Sequence, residues 1–226
     1  FLAAFLVTKW SIVIAASLGS FLVLLSVLVV SLKIRDTMAI LIIGLMFSSI
    51  TAAIVSVLSY FGSAQQLQQY IFWGFGSLGN LSWNELGIFF IIYCIGLLLS
   101  ILSLKSLNTL LLGENYAKSL GLNIKTSRLI IIISTSLLAG TITAFAGPIA
   151  FIGLAIPHMT RQIFNTSNHK ILLPGVFLFG AIVMLICDSI AQVPNSDYTL
   201  PINAITSLIG APVVVWLLVK KQKMIF

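Results

Sequence analysis

TMAILIIGLMFSSITAAIVSVLSYF, residues 37–61, carries no Lys, Arg, Asp or Glu and is rich in Ile, Leu, Val, Ala and Ser. A helix crosses a bilayer with roughly 20 mostly apolar residues, so this stretch reads as a spanning helix. Working outward, similar runs occupy 10–32, 86–104, 129–146, 149–164, 172–192 and 202–219. Hydrophobic residues make up 59% of the 226-residue chain and charged residues only 8%. A soluble domain averages about 25% charged residues. This chain has too few polar side chains to cover its own surface, and the bilayer must be its solvent. The expected fold is an all-α, polytopic membrane helical bundle with about seven visible spans, forming one membrane domain over 1–226.

The cations orient it. Lys33, Arg35, Lys105, Lys118, Lys125, Arg128, Arg161, Lys170, Lys220, Lys221 and Lys223 fall on one side of the expected spans, and only Lys9 on the other. Loops held in the cytoplasm carry excess Lys and Arg, which places the C-terminus there. The net charge of +7 is thereby explained through membrane lipid, with no nucleic acid. The chain does not begin with Met, and Phe1–Val7 reads as the tail of an earlier apolar segment. The sequence therefore reads as starting mid-protein.

Two connections are longer than turns. The external one, 62–85, has no Lys or Arg. Its first part, Ala64–Trp73, reads as a surface helix with Leu67, Tyr70, Ile71 and Trp73 toward lipid. Tyr70, Trp73 and Trp83 fit an interfacial aromatic belt. The cytoplasmic one, 105–128, mixes apolar and polar residues at helical spacing, with Gly113 and Gly121 as breaks, and predicts short helices against another surface. Glu114 would open one of them, where a carboxylate meets the positive end of the helix dipole.

Within the spans, from Ile149 to Arg161 is about 20 Å of helix, shorter than the ~30 Å hydrocarbon core. The turn at Ala146-Gly147-Pro148 must then be sunk into protein, with Pro157 interrupting the helix that follows. Ser48, Ser49, Thr51, Ser56 and Ser59 are candidates for a polar pathway or for close helix packing. Asp188 is the only acid deep in a span. Such a charge faces the bundle interior, and sitting about one turn from the external end it reads as structural, with proton coupling as the alternative. Cys94 and Cys187 read as free packing thiols. His158 and His169 read as capping or interfacial residues. No arrangement supports a catalytic or metal site.

One family carries the same residues in order. Leu112-Gly113-Glu114, Ala117 and Ser119-Leu120-Gly121 come first. Ala146-Gly147-Pro148-Ile149, Phe151-Ile152-Gly153-Leu154, Ile156-Pro157-His158 and Arg161 follow. Leu172-Leu173-Pro174, Leu200-Pro201-Ile202, Leu208-Ile209-Gly210-Ala211-Pro212 and Trp216-Leu217-Leu218 close the set. The pattern resembles the permease subunits of bacterial ABC importers for iron-siderophores, haem and vitamin B12, the FecCD-like type II importer transmembrane subunits. The chain departs from that pattern at Asn115, where a second Glu is common, and at Ala150, Thr199 and Asn203.

The resemblance implies ten spans, of which the fourth to tenth are visible here. It implies a transport subunit in the inner membrane of a bacterium, not an enzyme, paired with a second permease copy. Two ATPase subunits would hold ATP and Mg, and an external solute-binding protein would deliver the ligand. Gly113, Glu114, Ala117, Leu120 and Gly121 would dock in the ATPase, the Ser48–Ser59 hydroxyls would border the pathway, and Gly147, Pro148, Gly153, Pro157, Gly210 and Pro212 would serve packing. No cofactor would be bound directly. An ion-coupled secondary transporter is the alternative; it would rely on Asp188 and leave the structured 105–128 loop unexplained. A membrane hydrolase would need Ser, His and Asp in an arrangement that the sequence does not define.

Overall fold

The structure, a computed structural model, describes residues 18–23, 25–26, 29, 37–79, 81–192 and 199–222. From Thr37 onward its helices are α1 (Thr37–Phe61), α2 (Ala64–Phe75), α3 (Trp83–Leu102), α4 (Leu104–Leu110), α5 (Glu114–Ser119), α6 (Ile124–Ala146), α7 (Ile152–Phe164), α8 (His169–Ala191) and α9 (Ile202–Gln222). The described residues within 18–29 are helical too. Among the described residues the one β pairing is an isolated antiparallel bridge between Gln192 and Thr199. The fold is that of an all-α membrane protein. Four described helical stretches are long and apolar enough to cross a bilayer: Ile42–Phe61, Trp83–Leu102, Ile124–Ala146 and His169–Ala191. α7 has only 13 residues, the shortfall that the Ile149–Arg161 spacing predicts. The expected span at 10–32 lies largely outside the described residues, as do Lys9, Lys33, Arg35 and Lys223.

The chain divides into two compact units. The first holds Phe1–Phe72, Ser82–Ser103 and Asn123–Phe145; the second holds Trp73–Leu81, Leu104–Leu122 and Ala146–Phe226.

In the first unit, α3 and α6 cross on small residues. Lipid gives two helices no hydrophobic reason to associate, so they gain from close approach and interhelical hydrogen bonds. Gly96 is buried, and a Cβ there would stand 2.8 Å from Cγ and Cδ2 of Leu138. The Ser134 hydroxyl donates to the Gly96 carbonyl at 2.9 Å, and Ser100 Oγ lies 2.7 Å from Ser134 Oγ. Because the Ser134 hydrogen is committed to Gly96, Ser100 supplies the hydrogen of the second bond. Above this crossing, the Phe89 and Phe145 rings meet edge to face at 5.7 Å. At the start of α3, Ser82 and Glu85 form a capping box: Glu85 Oε2 accepts from the Ser82 amide at 2.9 Å, and Ser82 Oγ accepts from the Glu85 amide at 3.4 Å. That arrangement satisfies donors which the helix itself leaves orphaned.

In the second unit, α7 and α8 pack antiparallel through a tight turn, with Asn165 in the left-handed region at φ 45° and Asn168 as the α8 N-cap. Gly175 on α8 lets α7 come close; a Cβ there would lie 2.9 Å from Cγ2 of Thr160, which is fully buried. α9 packs on both helices. The core joins Cys187 and Ala191 of α8 to Ile202 and Ile205 of α9, with Val183, Met184 and Ile209 packed against it.

A Gly96→Leu substitution is expected to overpack the α3–α6 crossing at a cost of about 1–3 kcal/mol. Gly87→Leu on the same helix, where a Cβ has no neighbour within 4 Å, should leave stability near wild type. Thermal unfolding of the full-length protein in detergent separates the two.

Candidate functional site

Three places in the fold carry the residues singled out by sequence. The first is the loop at 104–122. α4 ends at Leu110, and the chain stays bonded through Leu112 N to Thr109 O at 3.2 Å and Gly113 N to Leu110 O at 3.1 Å. Gly113 then takes φ 95° as the N-cap of α5, a conformation that a side chain would strain. Glu114 occupies the first turn of α5 and Lys118 the last, which suits both ends of the dipole and places the two at the favourable i, i+4 spacing. Termination is local. Gly121 sits at φ 80°, its amide donates to Lys118 O at 2.9 Å, and the Leu122 amide donates to Ala117 O at 3.0 Å. Those two bonds make a Schellman motif. Ala117 is fully buried, whereas Leu111, Leu112, Tyr116 and Leu120 are 50–61% exposed. The result is a folded knuckle with an anchored inner face and an apolar outer one.

The second place is the turn between α6 and α7. Gly147 has φ 78°, and a Cβ on it would stand 2.5 Å from the Trp73 carbonyl oxygen and 2.9 Å from the Gly76 Cα. Gly76, itself at φ 71°, leaves room for a Cβ only 3.1 Å from Ala146 O. The Ser77 amide donates to Ala146 O at 3.0 Å. Two backbones thus cross in direct contact. Asn203 at the start of α9 stitches them: its Oδ1 accepts from the Ala150 amide at 3.1 Å and its Nδ2 donates to Gly74 O at 3.4 Å. Phe151 then caps α7 at φ 64° and lies against Gly210 of α9, where a Cβ would come within 2.6 Å of the Phe151 Cβ. Pro157 and Pro212 lie inside α7 and α9 and leave the carbonyls of Gly153 and Leu208 without an intrahelical donor. A Cβ on Gly153 would meet nothing within 4 Å among the described residues.

The third is a cavity of about 790 Å³ along α1. Gly44, Ser48, Thr51, Val55, Ser56 and Ser59 line it together with Tyr70 of α2. Their spacing is one face of a helix. Ser49 lies off that face and its hydroxyl donates to Leu45 O at 3.0 Å. The Thr51 hydroxyl donates to Phe47 O at 2.9 Å. The lining is uncharged, with hydroxyls set among apolar walls.

Asp188, one turn before the end of α8, accepts from the Gln192 side chain at 2.7 Å. Leu67, Tyr70, Ile71 and Trp73 are all 40–47% exposed on α2, and Trp83 is 87% exposed. Cys94 and Cys187 are free thiols. Among the described residues no three His, Cys, Asp or Glu side chains cluster as metal ligands would.

Sequence reasoning noted Asn203 only as a departure from the family pattern and Leu112 only as part of it, and missed the roles of Glu85 and Tyr116. The Ser82-x-x-Glu85 spacing is a capping-box signal readable in the sequence. Asn203 offers no local signal, because its partners lie 53 and 129 residues away.

Comparison with known proteins follows the same lines. The FecCD transport family matches residues 1–220, and the chain belongs to that family. It is 33% identical over 214 residues to the vitamin B12 import system permease protein BtuC of Citrobacter koseri, covering 95% of this chain and 64% of that protein. The corresponding protein of Salmonella typhi is 32% identical over the same length, with 65% of it covered. A solved ABC transporter assigned to the metal-chelate type, in an inward-facing conformation, superposes with a TM-score of 0.72 at 36% identity, covering 87% of this chain and 63% of that one. The chain therefore spans less than two thirds of the length of these relatives.

Gly147→Ala combines a left-handed φ with a 2.5 Å backbone clash and is expected to abolish stable expression of the full-length protein. Asn203→Ala leaves the Ala150 amide without its acceptor and should cost about 1–3 kcal/mol, read as a lowered midpoint in thermal unfolding.

Proposed function

We propose that this chain is the membrane-spanning part of a permease subunit in an ATP-driven importer of a bulky chelate ligand of the iron-siderophore, haem or cobalamin kind. The observation that carries this reading is the knuckle at Gly113–Gly121. A six-residue helix is far too short to persist alone; here it is capped at both ends and turns Leu111, Leu112, Tyr116 and Leu120 outward. Exposed apolar groups clustered beside a charged rim suit docking to another protein. Family membership and the likeness to vitamin B12 permeases and a metal-chelate type transporter support an ATPase as the partner.

In this reading the chain acts as one membrane domain in a bacterial inner membrane. Lys105, Lys118, Lys125 and Arg128 put the knuckle in the cytoplasm with the C-terminus. A second permease copy completes the pathway, two ATPase subunits bind the knuckles, and an external binding protein delivers the ligand. ATP and Mg belong to the ATPase subunits, and the permease is not itself an enzyme. Ser48, Thr51, Ser56 and Ser59, on the α1 cavity, border the route. Hydroxyls among apolar walls wet a large ligand without trapping it by charge. Gly147, Gly210 and Asn203 hold the α6–α7 turn while the permease alternates between states.

Two measurements test the reading. Full-length permease should capture its ATPase subunit in stoichiometric amount, and Glu114→Lys or Leu120→Asp should lower capture at least tenfold. Capture that survives both substitutions removes the knuckle as the dock, and no capture by wild type overturns the importer reading. Ser56→Trp should narrow the cavity and lower uptake of radiolabelled ligand several-fold while leaving ATPase capture intact.

A further inference from the structure

The knuckle rides on α4, and the Asn108 side chain bonds α4 to the start of α8. Asn108, in the middle of α4, turns both polar atoms of its side chain toward the α7–α8 turn. Its Nδ2 donates to Asn168 Oδ1 at 2.8 Å. Its Oδ1 accepts from the His169 amide at 2.8 Å and faces His169 Nδ1 at 2.8 Å. Asn168 Oδ1 also accepts from the Lys170 amide at 3.0 Å, so that atom is an acceptor and the Asn108 amide can be oriented in only one way. The Asn108 oxygen can then only accept, and His169 must carry its hydrogen on Nδ1. An imidazole with hydrogen on Nδ1 makes this bond whether the ring is neutral or charged.

The joint lies between two rigid parts. On one side, bonds run unbroken from α4 through Leu112 and Gly113 into α5, where the Ala117 amide donates to Gly113 O at 3.0 Å. On the other, Asn168 is the N-cap of α8, so the fastening grips the first turn of a 23-residue helix that holds Cys187 and Ala191 of the core. α4 has only seven residues and cannot hold its own position; tertiary contact must do so.

We propose that Asn108 is the positioning residue that makes the α4–α5 knuckle and α8 move as one body, so that displacement of the knuckle by a docked partner is delivered to the spanning helix. This rests on the docking reading above. A single amide bonded at both ends resists twist as well as separation, because rotating α4 breaks one bond while the other still holds.

The test places spin labels at Lys105→Cys on α4 and Leu178→Cys on α8, both exposed positions, in a Cys94→Ser, Cys187→Ser background. Full-length permease bound to its ATPase in lipid nanodiscs is compared without nucleotide and after trapping with ATP and vanadate. With Asn108 present, the label-to-label distance should be single, narrow and the same in both states. Asn108→Ala should leave the nucleotide-free distance close to wild type and, on trapping, shift it or broaden it about twofold. His169→Ala, which keeps the backbone amide bond, should give a smaller response. A wild-type distance that changes on trapping overturns the proposal, and so does an Asn108→Ala sample that matches wild type or is broadened equally in both states. Failure of wild-type permease to bind the ATPase overturns the underlying docking reading instead.

Discussion

Hydrocarbon offers no partner to a backbone N–H or C=O, and each group left unsatisfied there costs several kcal/mol. The rest of this structure follows from that constraint. It makes every described element helical apart from one short bridge. It also decides where irregular backbone can occur. The turn at 146–151 breaks helix geometry twice, at Gly147 and Phe151, and distant residues answer two of its backbone groups: Ala146 O by the Ser77 amide, and the Ala150 amide by Asn203. In this turn, residues from distant parts of the chain supply hydrogen bonds that water would supply at a surface.

The same constraint explains the use of small residues at crossings. Lipid competes with Leu for contact with Leu, so bulk alone does not select a helix partner. Gly96 and Gly175 select theirs by letting Leu138 and Thr160 approach a backbone that any side chain would push away. Ser100 and Ser134 add directional bonds at the first of these crossings. The small residues fix which faces meet, while large ones such as Leu45, Leu58, Leu178 and Leu185 stay more than 60% exposed.

Sequence carried the parts of the fold that are local. Run length marked α1, α3, α6 and α8, and the shortfall between Ile149 and Arg161 foretold the 13-residue α7. Glycines at 113 and 121 foretold the breaks around α5. The five hydroxyls of α1 were legible as a group but not as a face. The helical period separates Ser49 from the row at 44, 48, 51, 55 and 59, yet nothing in the sequence says which row borders a cavity. Asp188 was legible as the one acid deep in a span, and its hydrogen-bond partner Gln192 sits only four residues away. The amides of Asn108 and Asn203 were invisible, because an Asn in an apolar chain says nothing about partners 53 to 129 residues distant.

That difference between local and distant coding separates the two glycine turns physically. Gly113 and Gly121 have no neighbour within 4 Å of a notional Cβ among the described residues; each is required only by its φ. The knuckle is therefore shaped by its own dozen residues, through a glycine N-cap, a dipole-matched pair and a Schellman stop. Gly147 is required both by its φ and by the carbonyl of Trp73 pressed against it, so its turn exists only once the rest of the second unit has assembled around it. In the docking role proposed for the knuckle, a surface shaped by local sequence is an advantage, since little ordering then remains to oppose binding. The turn at 146–151 has the opposite origin, and it is built from residues of distant parts of the chain that cannot move without one another.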